Sequence, residues 1–237
     1  MIRMRKTDGP TVIKIGGSCA SSLDLRRWCA MVAGCGGRAV VVPGGGPFAD
    51  AVRAAQPRIG FDDVAAHHMA MLGMEQFGHA LASLDRRLVV ADSMAALQRA
   101  LAAGKVAVWL PARMAMKAAD IPASWQVTSD SLAAWLAGKL GASRLLLLKQ
   151  VELSRQPAAV SELAAKGIVD PAFPQVLKAS RVAAFILGPA DHMAVSAALC
   201  HDPPGTPIVS QRMSRRKPAP DLTGGGRRFA EKDMRKV

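Results

Sequence analysis

Short apolar runs alternate along this chain with segments of helical periodicity. Residues 12–15, 39–42, 106–110, 145–148, 182–187 and 207–210 are apolar stretches of strand length, as expected of parallel strands buried on both faces. Between them, the spacing of apolar positions predicts helices over 22–33, 47–55, 61–84, 93–103, 129–140, 158–166 and 190–199. Ser21 or Ser22 and Ser129 stand where N-caps belong, and Gly141 follows Leu140 at a natural helix stop. Such alternation builds a mainly parallel sheet covered by helices on both sides. The predicted fold is an α/β three-layer αβα sandwich, a single domain over residues 1–210 without internal repeats.

The longest predicted helix has two distinct faces. His67, Ala70, Met74, Phe77, Leu81 and Leu84 recur at helical spacing and form an apolar seam for the core or a subunit contact. His68, Leu72, Glu75 and His79 form a second stripe, which reads either as solvated surface or as the wall of a substrate pocket.

Composition narrows the class. With 237 residues, half of them apolar, the chain can bury a substantial core. No apolar run reaches membrane-spanning length, and the basic first ten residues lead into a strand rather than a signal-peptide core. Cys19, Cys29, Cys35 and Cys200 form neither a CxxC pair nor a zinc spacing, and no metal-ligand cluster is visible. A cytoplasmic protein with no membrane partner is the simplest expectation. The net charge of +13 points toward nucleic acid until its distribution is considered. Residues 211–237 carry nine Lys or Arg against three Asp or Glu, among Pro218, Pro220, Gly224, Gly225 and Gly226. That segment reads as a basic, mobile tail, and a nucleic-acid partner is the weakest hypothesis because the core has no helix-turn-helix, OB or RRM signature.

Candidate chemistry lies at the strand ends. Thr-Val-Ile-Lys-Ile-Gly-Gly-Ser (11–18) and Val-Val-Val-Pro-Gly-Gly-Gly-Pro (40–47) both run from a strand into glycines just before a helical pattern. Glycine at such a turn lets anionic oxygens approach backbone N–H groups, and the following helix directs its positive end there. Lys14 adds a charge to the first turn, so a phosphate site is expected.

A third segment, Trp-Gln-Val-Thr-Ser-Asp-Ser-Leu-Ala-Ala-Trp-Leu-Ala (125–137), opens a helix on a Ser-Asp pair. The three motifs in this order resemble the amino acid kinase superfamily. Within it, the segments 43–50, 66–78 and 125–137 are most similar to the kinases of methanofuran biosynthesis, which act on an aminomethylfuran-methyl phosphate in C1 metabolism. The resemblance implies an ATP- and Mg²⁺-dependent kinase acting on a small phosphorylated alcohol, assembled as a homo-oligomer. Catalytic roles are implied for Lys14, which bridges phosphates, and Asp130, which holds lysines in position, with Lys178 as a candidate second lysine. Nucleotide contacts are implied for Gly16, Gly17, Ser18, Ser129 and Lys149. Substrate contacts are implied for Gly44, Gly45, Gly46, Asp50, His67, His68 and Glu75.

Two departures concern the nucleotide side. Gln175 follows Pro174 where the superfamily often has lysine, and Lys178 lies one helical turn further on. Lys149 is another candidate for that lysine, and it ends a strand where related kinases tend to have a Thr-Asp pair. A non-catalytic nucleotide or metabolite binder, or a partner subunit, is therefore the alternative, together with a kinase for an acylamino acid, uridylate or isopentenyl phosphate.

Overall fold

The computed structural model describes residues 9–191 and 205–210. Most of the predicted helix over 190–199, Cys200 and the basic segment 211–237 lie outside the described residues. The strands are β1 (Thr11–Ile15), β2 (Ala39–Pro43), β3 (Leu88–Ala91), β4 (Val106–Trp109), β5 (Arg144–Leu148), β6 (Ala158–Ala159), β7 (Ala184–Leu187) and β8 (Thr206–Val209). They form one eight-stranded sheet in the order β3-β4-β2-β1-β5-β7-β8-β6. Its pairings are parallel except for β7 with β8. The helices are α1 (Leu25–Ala33), α2 (Gly46–Ile59), α3 (Asp63–Ser83), α4 (Met94–Ala102), α5 (Ala112–Ala115), α6 (Ser129–Leu140), α7 (Val160–Ala165) and α8 (Phe173–Ser180).

Alternation along the strands divides the core in two. Val12, Val40, Val42, Leu145 and Leu147 pack on one face against side chains of α4, α6, α7 and α8. Ile13, Ile15, Val41, Leu146 and Leu148 pack on the other with Trp28 and Val32 of α1 and Phe77 and Leu81 of α3. Burial on both faces is why these strands read as unbroken apolar runs. Each such aliphatic side chain contributes roughly 1.5–3 kcal/mol by leaving water. Lys14 breaks the pattern: it is 4% exposed in β1, and a buried ammonium without partners would cost more than a neighbouring valine gains.

The chain leaves β1 for β2 on one side and later returns to β5 on the other. The segments after β1, β2 and β5 therefore open together at one edge of the sheet, the place where α/β sheets hold ligands.

The structure revises several boundaries. β3 is an additional edge strand, fixed by pairing Leu88 with Val106 and Ala91 with Trp109. The helix expected over 158–166 begins at Val160, because Ala158 and Ala159 pair with Ile208 and Val209 of β8. α2 runs past Pro57 to a left-handed Gly60 at φ +83°. α3 starts after Asp62, whose carboxylate accepts from Ala65 N at 2.8 Å. The α1 N-cap is Asp24 rather than Ser21 or Ser22, and that of α6 is Thr128 rather than Ser129. Gly141 does close α6, at φ +57°.

Candidate active site

Strand parity brings two lysines together. Leu147 of β5 is the register partner of Lys14, and Lys149 lies two residues further on, so both lysines face the same side of the sheet. The ladder continues to this point, since Lys149 N donates to Leu187 O at 3.0 Å. The first turn of α6 meets them there. Asp130 Oδ1 lies 2.9 Å from Lys14 Nζ, and Asp130 Oδ2 accepts a hydrogen bond from Lys149 Nζ at 2.6 Å.

The triad is buried, with two positive charges on one carboxylate. Burial alone would raise the pKa of Asp130, but the Lys14 and Lys149 ammoniums outweigh it and hold the carboxylate below its ordinary range. Burial, followed by repulsion from Lys14, pushes Lys149 down to about 8 against the pull of Asp130. An excess positive charge in a desolvated place is a standing demand for an anion.

A carboxylate from elsewhere in the chain sets the α6 turn. Asp170 Oδ2 accepts from Thr128 N at 3.0 Å, from Thr128 Oγ1 at 2.8 Å and from Ser131 N at 2.9 Å, while Oδ1 accepts from Ser131 Oγ. Asp170 thus occupies the N-terminus of α6 in place of a local side-chain cap, as the positive end of a helix favours. Its sequence neighbours Val169 and Pro171 gave little sign of this, although an aspartate after Ile168 and Val169 in a buried stretch is a residue that needs partners.

The glycine turns interlock. A Cβ on Gly44 would collide with Gly17 N, and one on Gly17 with Gly46 N, so part of the glycine requirement is contact between the two loops. Gly46 also sits at φ +52°. No side chain caps α2, and Pro47 in its first turn has no N–H, so Gly46 N and Phe48 N are the groups there without an intrahelical acceptor.

Two cavities adjoin here and share Gly17, Arg53, Trp125 and Thr128 as walls. The first, about 370 Å³, contains Lys14, Gly16, Gly17, Ser18, Asp130 and Lys149. The second, about 200 Å³, contains Gly45, Gly46, Asp50, His67 and Ser129, with Met71, Met74 and Leu132 as apolar lining. Arg53 and Trp125 are not among the site residues expected from the sequence, although Trp125 opens the third motif. The Arg53 guanidinium lies 4.5 Å from the centre of the Trp125 ring, and the indole N–H donates to Gln56 Oε1 at 2.6 Å.

Four expected site residues do not line either cavity. Gly44 packs behind, against Gly16 and Gly17. Glu75 accepts from Ala112 N at 2.9 Å, so its carboxylate serves the N-terminus of α5. His68 lies off the pocket side of α3: the cavity is met by the apolar seam, through His67, Ala70 and Met74, because that face packs toward α2. Lys178 is exposed on α8, as is Gln175. The lysine that joins Lys14 at Asp130 is Lys149, carried there by the sheet.

The amino acid kinase family model matches residues 9–162. The chain belongs to the amino acid kinase family. Among curated relatives, the [5-(aminomethyl)furan-3-yl]methyl phosphate kinase of Methanocaldococcus jannaschii is 26% identical over 157 residues, covering 62% of this chain and 72% of that protein. Solved structures share the fold. Uridylate kinase from Archaeoglobus fulgidus superposes with a TM-score of 0.65 at 16% identity, over 84% of this chain and 100% of the other. UMP kinase from Ureaplasma parvum gives 0.61 at 15%, over 85% and 99%. For this amino acid kinase family member, the mainly parallel sheet expected from the residue pattern is the observed one.

Proposed function

We propose that this chain is an ATP-dependent kinase that transfers the γ-phosphoryl group to a small phosphorylated alcohol, [5-(aminomethyl)furan-3-yl]methyl phosphate or a close analogue. The observation that carries this reading is the buried Lys14–Asp130–Lys149 triad, set beside the wall that two cavities share. In the reaction an oxygen of the acceptor phosphate attacks the γ-phosphorus, the bond from that phosphorus to the bridging oxygen of ADP breaks, and a diphosphate ester and ADP leave. Such a transfer needs alignment and charge neutralisation rather than covalent help from the protein.

The parts divide accordingly. Lys14 and Lys149 offset negative charge on the transferring group, Asp130 keeps them oriented, and Asp170 fixes the turn that carries Asp130. Asp130 is no general base, because both its oxygens are engaged by ammoniums and its pKa is held low. Gly16, Gly17 and Ser18 lie on the nucleotide side, and Gly45, Gly46 and Arg53 meet the acceptor phosphate. Mg²⁺ would further shield the phosphates. In the triad cleft, Asp130 and Asp170 are already occupied by ammoniums and N–H groups, so Mg²⁺ would be held mainly by the nucleotide's phosphate oxygens.

The acceptor is read from size and kinship. A cavity of about 200 Å³ with an apolar lining suits one small ring, and the furan kinase of Methanocaldococcus jannaschii is a curated relative at 26% identity. The homo-oligomer implied by the family resemblance belongs to the same proposal. Val64 and Leu72, about half exposed on α3, offer apolar surface for it, and sedimentation equilibrium measures the state. Among the described residues no helix is long and apolar enough to cross a membrane.

The test is an ADP-release assay with Mg-ATP and a panel containing the aminomethylfuran phosphate, uridylate and isopentenyl phosphate. Turnover of the furan substrate that disappears in Lys14→Ala is expected. Release no greater than that control across the panel would leave a non-catalytic binder as the reading.

A further inference from the structure

His67 is 7% exposed on α3, lines the smaller cavity, and leaves Nε2 without a hydrogen-bond partner among the described residues. The ring also hydrogen-bonds with the Ser124 backbone, which favours the protonated ring and is therefore a carbonyl contact. Burial, then the neighbouring His68, outweigh that contact and hold the pKa below the ordinary histidine value. A neutral imidazole has one N–H, and the Ser124 carbonyl takes it. The other nitrogen is then a lone-pair acceptor. Leaving such an acceptor buried and unmatched is unfavourable unless a ligand supplies the donor.

A second acceptor lines the same cavity. Asp50 is exposed on α2 and is engaged by no ion pair or side-chain hydrogen bond among the described residues. Neither residue is part of the wall shared with the triad cleft, whereas Arg53 is. The acceptor phosphate has to reach that shared wall to be near the triad. What remains of the acceptor therefore meets a carboxylate, an imidazole lone pair and the thioethers of Met71 and Met74.

We propose that this part of the cavity is a subsite for a primary ammonium group on the acceptor, with His67 Nε2 accepting one N–H and Asp50 supplying the counter-charge. It rests on the kinase reading for the direction in which the acceptor lies. The selectivity it gives follows from the unpaired groups: an acceptor of the same shape without the amine leaves His67 unmatched. A neutral acceptor nitrogen repels a phosphate oxygen, so His67 does not hold the acceptor phosphate.

The test compares [5-(aminomethyl)furan-3-yl]methyl phosphate with its 5-methyl counterpart, by calorimetric titration and by ADP release. The amine is expected to bind the full-length protein at least tenfold more tightly. Asp50→Asn and His67→Leu are each expected to shrink that ratio to threefold or less, and His67→Gln, which retains an acceptor oxygen, to preserve more of it. Equal binding of the two compounds, or binding of neither, overturns the subsite. Equal binding with turnover of both leaves the kinase reading standing without it. A tenfold preference without turnover of either keeps the subsite and removes the kinase. Asp50 is exposed, so its variant remains informative even if a His67 variant folds poorly.

Discussion

Lys149 Nζ and Asp130 Oδ2 stand 2.6 Å apart, joining the residue after β5 to the first turn of α6. The contact closes a triad whose other cation comes from β1, so three separate elements converge on one carboxylate. No pair of these residues is close in sequence, and the sheet register is what sets their spacing.

Asp130→Asn removes the charge from between two ammoniums while keeping the shape. Turnover is expected to fall at least a hundredfold, a loss of about 2.7 kcal/mol of transition-state stabilisation. Stability falls as well, by up to about 3–5 kcal/mol, as when one partner of a buried pair is removed. Added inorganic phosphate is expected to restore part of the melting temperature by supplying the missing negative charge. Steady-state kinetics and calorimetry measure both effects, and turnover within threefold of the parent would exclude the proposed role.

Lys149 makes activity and stability respond to pH in opposite directions. Its pKa is about 8 in the folded chain against an ordinary 10.5, so between these values the unfolded chain holds the extra proton. This group's contribution to stability therefore rises with pH across that window, with a slope of at most about 1.4 kcal/mol per pH unit. The proposed catalytic charge disappears over the same range, so kcat/KM falls as pH rises through about 8. Lys149→Arg, which stays charged, is expected to move the falling limb well above that value, and Lys149→Met to abolish the rise in stability. A falling limb unchanged in Lys149→Arg would assign it to another group.

Lys178 tests the position at which the family pattern would seek a second lysine. It is exposed on α8 and lies outside both cavities. Lys178→Ala is expected to change stability by less than about 0.5 kcal/mol and to leave kcat within twofold. A loss comparable to that of Lys149→Ala would return the catalytic role to α8.

Asp170 acts through the turn it caps. Asp170→Asn loses charge-assisted bonds to two backbone N–H groups, so a loss of about 2–3 kcal/mol in stability is expected. As a positioning residue it should lower kcat more than it raises the KM for the acceptor. A fall in melting temperature with unaltered kcat would reduce it to a structural cap.

How much of this was legible depends on what each residue answers to. Apolar runs at β1, β2, β4, β5 and β7 are dictated by burial on two faces, and they can be read locally. β6 could not be: two alanines carry no strand signal, and only the pairing with β8 takes them out of the following helix. Lys14 and the glycine turns stood out because a charge or a missing side chain at a strand end is unusual in a buried context, and Asp130 because it opens a helix in the third motif. Asp170 and Arg53 did not, nor did Trp125 as a site residue, since their roles lie in partners far away along the chain.

The stripes of α3 draw the same line. Helical periodicity separated His67 from His68 correctly, yet it could not say which stripe met a cavity, because that depends on where α2 packs. The sequence alone determined the layered fold, the phosphate-seeking turns and the candidate charges, since these follow from local burial and backbone freedom. Only the tertiary structure decided which of the two candidate lysines, Lys149 or Lys178, joins Lys14 at Asp130, and that His67 rather than Glu75 faces the cavity. Charges act over a few ångströms, and those ångströms are set by strand register and helix packing, which no single segment contains.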